Sequence, residues 1–140
     1  MIDKASTNHY NGATFEEKGE KAEEMTTRLT LGEWDEQFTR QASWTRATRA
    51  HLYRRANLLR ARRVLDVGSG TGVVTEELAA RTEGLVVGLD LDPDMIAYAQ
   101  GRDGQAKYRL GDAHDLPFRD AGFDVTTCHF LLMWCCDPAR

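Results

Sequence analysis

The chain has 140 residues, of which 41% are hydrophobic and 29% charged, and its formal net charge is −4. This length suits one modest domain with a single core, and the composition is that of a globular protein. No apolar run approaches the roughly 20 residues that span a bilayer, the N-terminus lacks the basic start and apolar stretch of a secretory signal, and the overall charge gives no net attraction to nucleic acid. We therefore expect a cytoplasmic location.

Residues 1–27 are polar, rich in Glu, Lys and Thr, and predict a disordered tail. Residues 28–61 show helical spacing of apolar side chains and predict an N-terminal cap of two short helices. The aromatic and apolar faces of these helices are expected to point inward. The side chains concerned are Trp34, Phe38, Trp44, Leu52, Leu58 and Leu59.

The same region is strongly basic, because it has no acidic residue between Gln37 and Leu65. We expect the arginines to lie mostly on the solvated faces of the helices, with their stems covering apolar surface. A salt-sensitive RNA-binding role is an alternative interpretation, although basic helix faces are more often simply solvated. The arginines are Arg40, Arg46, Arg49, Arg54, Arg55, Arg60, Arg62 and Arg63.

From residue 62 to residue 140 strands and helices alternate. Residues 64–67 predict a short buried strand, and a glycine-rich turn at 68–72 leads into a helix. Residues 85–89 predict a second buried strand. Asp92 and Pro93 then favour a helix start, since Asp accepts bonds from the free amides of the first turn and Pro needs no partner there.

Two more strands are expected, at 106–110 and 123–128, joined by a loop that turns at 120–122. Continuous apolar strands that alternate with helices indicate an α/β fold, with a parallel sheet covered by helices on both faces. In such sheets ligands bind outside the carboxyl ends of the strands. The glycine-rich turn lies at that edge.

The spacing of the glycines separates two classes of cofactor. A dinucleotide site needs a third glycine or alanine where this chain has Val73, which argues against a nicotinamide dehydrogenase. The turn instead has glycines at every second position after Asp66, whose carboxylate would attract an ammonium group and repel phosphates. Asp90, at the end of the second strand, is placed to accept both hydroxyls of a ribose.

The runs VLDVGSGTGVVTEELA, VVGLDLDPDMIAYAQ, GDAHDLPF and FDVTTCHFLLMW occur in this order between residues 64 and 134. They resemble class I methyltransferases that use S-adenosylmethionine (SAM), which have a Rossmann-like sheet. In detail they resemble the type 11 methyltransferases, which include the ubiquinone and menaquinone C-methylating enzymes. The resemblance extends to about residue 138.

The resemblance implies a SAM site with named residues and a methyl transfer to an acceptor that we expect to be a small molecule. Asp66 and the glycine-rich turn would line the methionine end of SAM, Asp90 would hold the ribose, and residues of three loops would surround the adenine. The turn consists of Gly68, Ser69, Gly70, Thr71 and Gly72, and the adenine contacts would be Leu91, Met95, Asp112 and the Ala113 backbone amide.

Methyl transfer from a sulfonium is an in-line displacement that needs orientation and exclusion of water, with no metal. No catalytic residue is assigned; His129, just past the fourth strand, is a weak candidate for a base, and His114 is expected to be a solvated surface residue. Three cysteines are too few for a disulfide framework. No CxxC pair or cluster of His and Cys completes a metal site.

Compared with the family, the sequence stops at Arg140, where a further helix, a fifth strand and a terminal hairpin would follow. We therefore expect only the N-terminal part of the methyltransferase domain at 62–140, with four strands. The fourth strand would then be an exposed edge. An alternative to the enzyme is a truncated, noncatalytic SAM-binding fragment or partner subunit.

Overall fold

The computed structural model describes residues 29–137. Apart from its first two residues, this part of the chain belongs to one compact unit, Leu31–Arg140. The tail expected at residues 1–27 lies outside the described residues. Within the described part, no helix is long and apolar enough to cross a membrane.

Two helices precede the sheet: α1 spans Leu31–Trp44 and α2 spans Arg46–Arg55, followed by a 3-10 turn at Leu58–Arg60. The prediction that the aromatic side chains of these helices point inward is confirmed for Trp34, which is 4% exposed. It is wrong for Trp44, which is 70% exposed.

The buried side chains of α2 are Arg49 and Tyr53, one helical turn apart. The chain turns at Thr45 between the two helices, so the apolar pattern does not run on from α1 into α2. Leu52, which the pattern placed inside, lies off the face of Arg49 and Tyr53 and is exposed. In the 3-10 turn Leu59 is also exposed, whereas Leu58 is buried.

Four strands form one sheet with the order β3-β2-β1-β4, and every pair is parallel. Their bounds are Arg63–Val67 for β1, Leu85–Asp90 for β2, Lys107–Leu110 for β3 and Val125–Cys128 for β4. The four-stranded parallel sheet expected from the continuous apolar runs is confirmed. In this part of the chain β3 and β4 are its edges.

The sheet has a different cover on each face. On one face Val64 and Val86 pack in a cluster with Leu78 of α3, which spans Val73–Ala79, and with Tyr53 of α2. On the other face Leu65 belongs to a second hydrophobic cluster, with Val67 and Leu89. Its cover comes from the segments between and after β3 and β4 rather than from a long helix, through Ala113, Phe118, Phe123 and Leu131.

Helix α4 spans Pro93–Gln100 and begins as its sequence predicts. Asp92 Oδ1 accepts hydrogen bonds from the amides of Asp94 and Met95 at 2.8 and 3.5 Å, and Pro93 stands at the first helical position. An Asp cap of this kind stabilises a helix start by about 1 kcal/mol. This start fixes the direction in which the chain leaves the end of β2.

Candidate functional site

The glycine-rich turn is held directly against the neighbouring strand. The amides of Gly68 and Ser69 both donate to the Leu89 carbonyl, at 2.8 and 2.9 Å. Gly68 and Gly70 have φ values of +74° and +51°, a region that side chains with a Cβ rarely adopt. The backbone conformation by itself therefore favours glycine at both positions.

Two apolar side chains stand over the bare backbone of this turn. A Cβ built on Gly68 would come within 2.7 Å of Leu131 Cδ1, and one built on Gly70 within 2.9 Å of Phe38 Cε2. Phe38 belongs to α1 and stacks against Trp34 with ring centroids 5.3 Å apart. The N-terminal helix thus reaches the carboxyl edge of the sheet.

Gly72, the last glycine of the turn, has different surroundings. Its φ is +89°, and a Cβ at this position would collide with the hydroxyl of Tyr108 and approach Ala99 of α4. The residue is buried. In this structure the absence of a side chain at Gly72 allows β3 and α4 to pack closely.

Asp66 is placed beneath the turn rather than at its surface. Its carboxylate is 1% exposed and accepts hydrogen bonds from Thr75 Oγ1 at 2.7 Å and Thr127 Oγ1 at 3.0 Å. Burial raises the pKa of Asp66 to about 6, while the two hydroxyl bonds act against that rise. Its observed partners are the start of α3 and the end of β4.

Asp90 connects the end of β2 to the glycine-rich turn. Its Oδ2 accepts the amide of Gly70 at 2.7 Å, and its Oδ1 accepts the amide of Asp92 at 3.0 Å. A carboxylate oxygen has two lone pairs. Each oxygen therefore keeps acceptor capacity for a further donor beside the turn.

Two predicted adenine contacts follow Asp90 and point in different directions. Leu91 is 68% exposed, whereas Met95 is 8% exposed. Met95 stands in the first turn of α4. It is a core side chain in this structure, and Leu91 is open to solvent.

The loop after β3 begins beside the same edge, because the Gly111 amide donates to the Asp90 carbonyl at 2.9 Å. Asp112 follows, with its side chain 49% exposed and its Oδ1 accepting the His114 amide at 2.8 Å. Ala113 packs into the core below the loop. His114 was expected to be solvated, but its imidazole is about three-quarters buried against Asp112.

His129, the weak candidate for a base, contacts the N-terminal helices. Its Nε2 lies 3.1 Å from Arg49 Nη1 and 3.0 Å from Thr45 Oγ1. A guanidinium only donates, so the contact with Arg49 is a hydrogen bond only when Nε2 carries no proton. Burial, together with the charge of Arg49, lowers the pKa of His129. A role as general base would require this contact to break.

Three residues that contact the glycine-rich turn were not predicted as site residues from the sequence. Phe38 lies on the predicted inward face of α1, so a helical signal was present for it. Leu131 follows the fourth strand within an apolar run. Arg102 donates to the Thr71 carbonyl and pairs with Asp35 of α1, and nothing in its local sequence indicated that role.

A family model described as a methyltransferase domain matches residues 65–140, more than half of the chain. The chain belongs to this methyltransferase family. It is 38% identical over 92 residues to the demethylmenaquinone methyltransferase of Deinococcus radiodurans, an alignment that covers 62% of this chain and 36% of that protein.

Solved structures agree with the fold. An S-adenosylmethionine dependent methyltransferase from Mesorhizobium loti is 30% identical with a TM-score of 0.50, over 56% of this chain and 37% of that one. Magnesium protoporphyrin IX methyltransferase from Synechocystis PCC 6803, solved with bound SAH, has a TM-score of 0.53 at 23% identity, over 75% and 48% of the chains. The class I methyltransferase fold is confirmed, and the chain spans between about a third and a half of these proteins.

Proposed function

We propose that this methyltransferase-family chain binds SAM at the carboxyl edge of its sheet and transfers the methyl group to a small organic acceptor. The observation that carries the proposal is the bond from the Gly70 amide to Asp90 Oδ2. It ties a glycine-rich turn, which a ligand can approach closely once Phe38 and Leu131 move aside, to a carboxylate that can accept sugar hydroxyls.

The residues at this edge fit such a ligand. Ser69 Oγ and Thr71 Oγ1 are buried and have no hydrogen-bond partner among the described residues. A buried hydroxyl without a hydrogen-bond partner lowers stability by about 1–3 kcal/mol. Hydrogen bonds to a polar ligand at the turn would therefore recover some of that stability. The ends of β1, β2 and β3 are neighbours in the sheet, so the Asp90 and Asp112 carboxylates follow adjacent strands.

When bound, SAM supplies a methyl group on a positively charged sulfur. The contribution of the chain is to bind, orient and exclude water. Asp90 would hold the ribose and the loop at Asp112 the adenine, while the buried carboxylate of Asp66 would act on the amino group through its field. Trp34, Phe38 and Trp134 form an aromatic cluster near the turn, which favours an apolar acceptor.

Calorimetric titration with SAM and with its demethylated product tests the proposal. We expect both ligands to bind the wild-type chain and to raise its melting temperature. Asp90→Asn, which keeps the shape of the side chain but loses its charge, should weaken binding about tenfold. Asp103→Asn, an exposed substitution beyond α4, should bind as the wild type does. Absence of heat and of thermal stabilisation with both ligands would overturn the proposal.

A further inference from the structure

The arginine-rich region between Gln37 and Leu65 is largely exposed to solvent. Seven of its eight arginines are exposed, and none of the seven forms an ion pair within residues 29–137. They lie on a chain whose net charge is −4. Positive charge is therefore concentrated locally. The seven are Arg40, Arg46, Arg54, Arg55, Arg60, Arg62 and Arg63.

Large apolar side chains are exposed among these arginines. Leu59 is 76% exposed and Leu52 is 55% exposed. Leu59 also lines an open depression of about 500 Å³, formed by residues 59–62 and 83–85. Arg60, Arg62 and the 44% exposed Leu85 share that lining, and Glu83 is its only acidic residue.

The depression is built on rigid backbone. The Leu85 amide donates to the Arg62 carbonyl at 2.8 Å, and Thr82 Oγ1 donates to the Ala61 carbonyl at 2.8 Å. Ala61, which lines the depression, belongs to the same core cluster as Tyr53 and Leu58. The exposed side chains are therefore held on a fixed support.

The chemistry of the surface selects between two anionic partners. Nucleic acid is held by phosphate contacts and by aromatic side chains that stack on bases. Here the exposed apolar side chains that line the depression are Leu59 and Leu85, which cannot stack, and none of its lining residues is aromatic. Arginine next to exposed leucine is the pattern of segments that lie in the interface of an anionic bilayer, where apolar burial and charge attraction add.

We propose that this face of the chain docks peripherally on an anionic lipid surface. The basic-apolar surface consists of Leu59, Arg60, Arg62 and Leu85, which line the depression. It lies at the amino ends of β1 and β2, whereas the glycine-rich turn follows the carboxyl end of β1. Docking there leaves the candidate SAM site uncovered, so the inference stands whether or not the chain binds SAM.

Cosedimentation with phospholipid vesicles tests the inference. The full chain should bind vesicles of phosphatidylcholine mixed with phosphatidylglycerol, and added salt should weaken the binding. Each basic residue near an anionic surface contributes about fivefold in affinity, so Arg60→Gln/Arg62→Gln should bind roughly 25-fold more weakly. Leu59→Ser should bind about tenfold more weakly at every salt concentration.

Arg40→Gln/Arg119→Gln is the matched control, because it removes the same charge from two exposed positions outside the basic-apolar surface. It should bind nearly as the wild type does, and all variants should keep the wild-type melting temperature. The inference is overturned if the vesicles are not bound, if the control loses as much affinity as the double variant, or if single-stranded RNA is bound in place of the vesicles. Binding through a second copy would appear as dimerisation without vesicles and would also overturn it.

Discussion

Arg49 reaches from α2 to the segment after β4, where its Nη1 lies 3.1 Å from His129 Nε2. The same nitrogen donates to the Ala42 carbonyl at 2.6 Å, and Nη2 pairs with Glu77 Oε2 at 2.5 Å. Arg49 is 4% exposed. One buried guanidinium therefore joins α1, α2, α3 and the chain beyond the sheet.

Replacing this guanidinium should be strongly destabilising. Arg49→Met removes the buried partner of Glu77, which keeps only the more exposed Arg81 at 3.3 Å, and it removes the bond to the Ala42 carbonyl, so we expect a loss of about 2 kcal/mol or more. Urea denaturation measures the free energy of unfolding. Arg54→Met, an exposed arginine on the same helix, should stay within about 0.5 kcal/mol of the wild type. Equal losses in the two variants would contradict this account.

The contact between Arg49 and His129 should depend on pH. Because the folded protein lowers the pKa of His129 below its ordinary 6.5, the unfolded chain takes up the proton first as the pH falls. The stabilisation is complete above pH 6.5 and is lost as the pH falls through the pKa of the folded state. The stability difference between wild type and His129→Gln should therefore shrink below pH 6.5. A difference that grows there would show that the imidazole is protonated in the fold.

Asp66 should show the opposite pH dependence. Its pKa is about 6 in the folded chain and 3.8 in the unfolded one, so between these values the folded state binds more protons. The free energy of unfolding should rise by about 3 kcal/mol as the pH falls from above 6 to below 3.8. Asp66→Asn should lack this contribution, which subtraction of the two pH profiles isolates. Parallel profiles would mean that the carboxylate is solvated.

Phe38 should limit access of SAM to the turn, if the proposed function holds. Its ring stands where a Cβ on Gly70 would come within 2.9 Å, so the ring must move before a ligand can lie on that backbone. Phe38→Ala should raise the association rate constant for SAM severalfold in surface plasmon resonance. Trp44→Ala, an exposed aromatic on the same helix, is the control. An unchanged association rate in Phe38→Ala would exclude gating by this ring.

The strands and the start of α4 could be predicted because local sequence determines them. Residues 64–67 and 85–89 are continuous apolar runs, as parallel strands buried on both faces require. Asp92 and Pro93 act on amides within their own turn. The neighbouring positions of β1, β2 and β3 then follow from short crossover connections, which bring the glycine-rich turn and Asp90 together.

Contacts between segments distant in sequence could not be predicted. In the sequence Arg49 cannot be distinguished from the seven exposed arginines around it, because its partner Glu77 lies on α3. The hydrogen bonds that Asp66 accepts come from Thr75 and Thr127, which belong to two other elements and could not be identified from the sequence around Asp66. The predicted site residues themselves remain a proposal. Periodicity identifies the buried side of a helix, but it does not identify the partner that the helix meets there.

The strand order also bears on how the chain folds. β1 pairs with β2 after a single short helix, whereas its pairing with β4 must close a loop that contains both other strands. Loop closure of this kind slows the later step, so we expect β1, β2 and the Gly70–Asp90 contact to assemble before β4 docks. Val86→Ala should then slow refolding, whereas Val125→Ala should mainly speed unfolding. The glycine-rich turn would acquire its shape while the last strand is still unpaired.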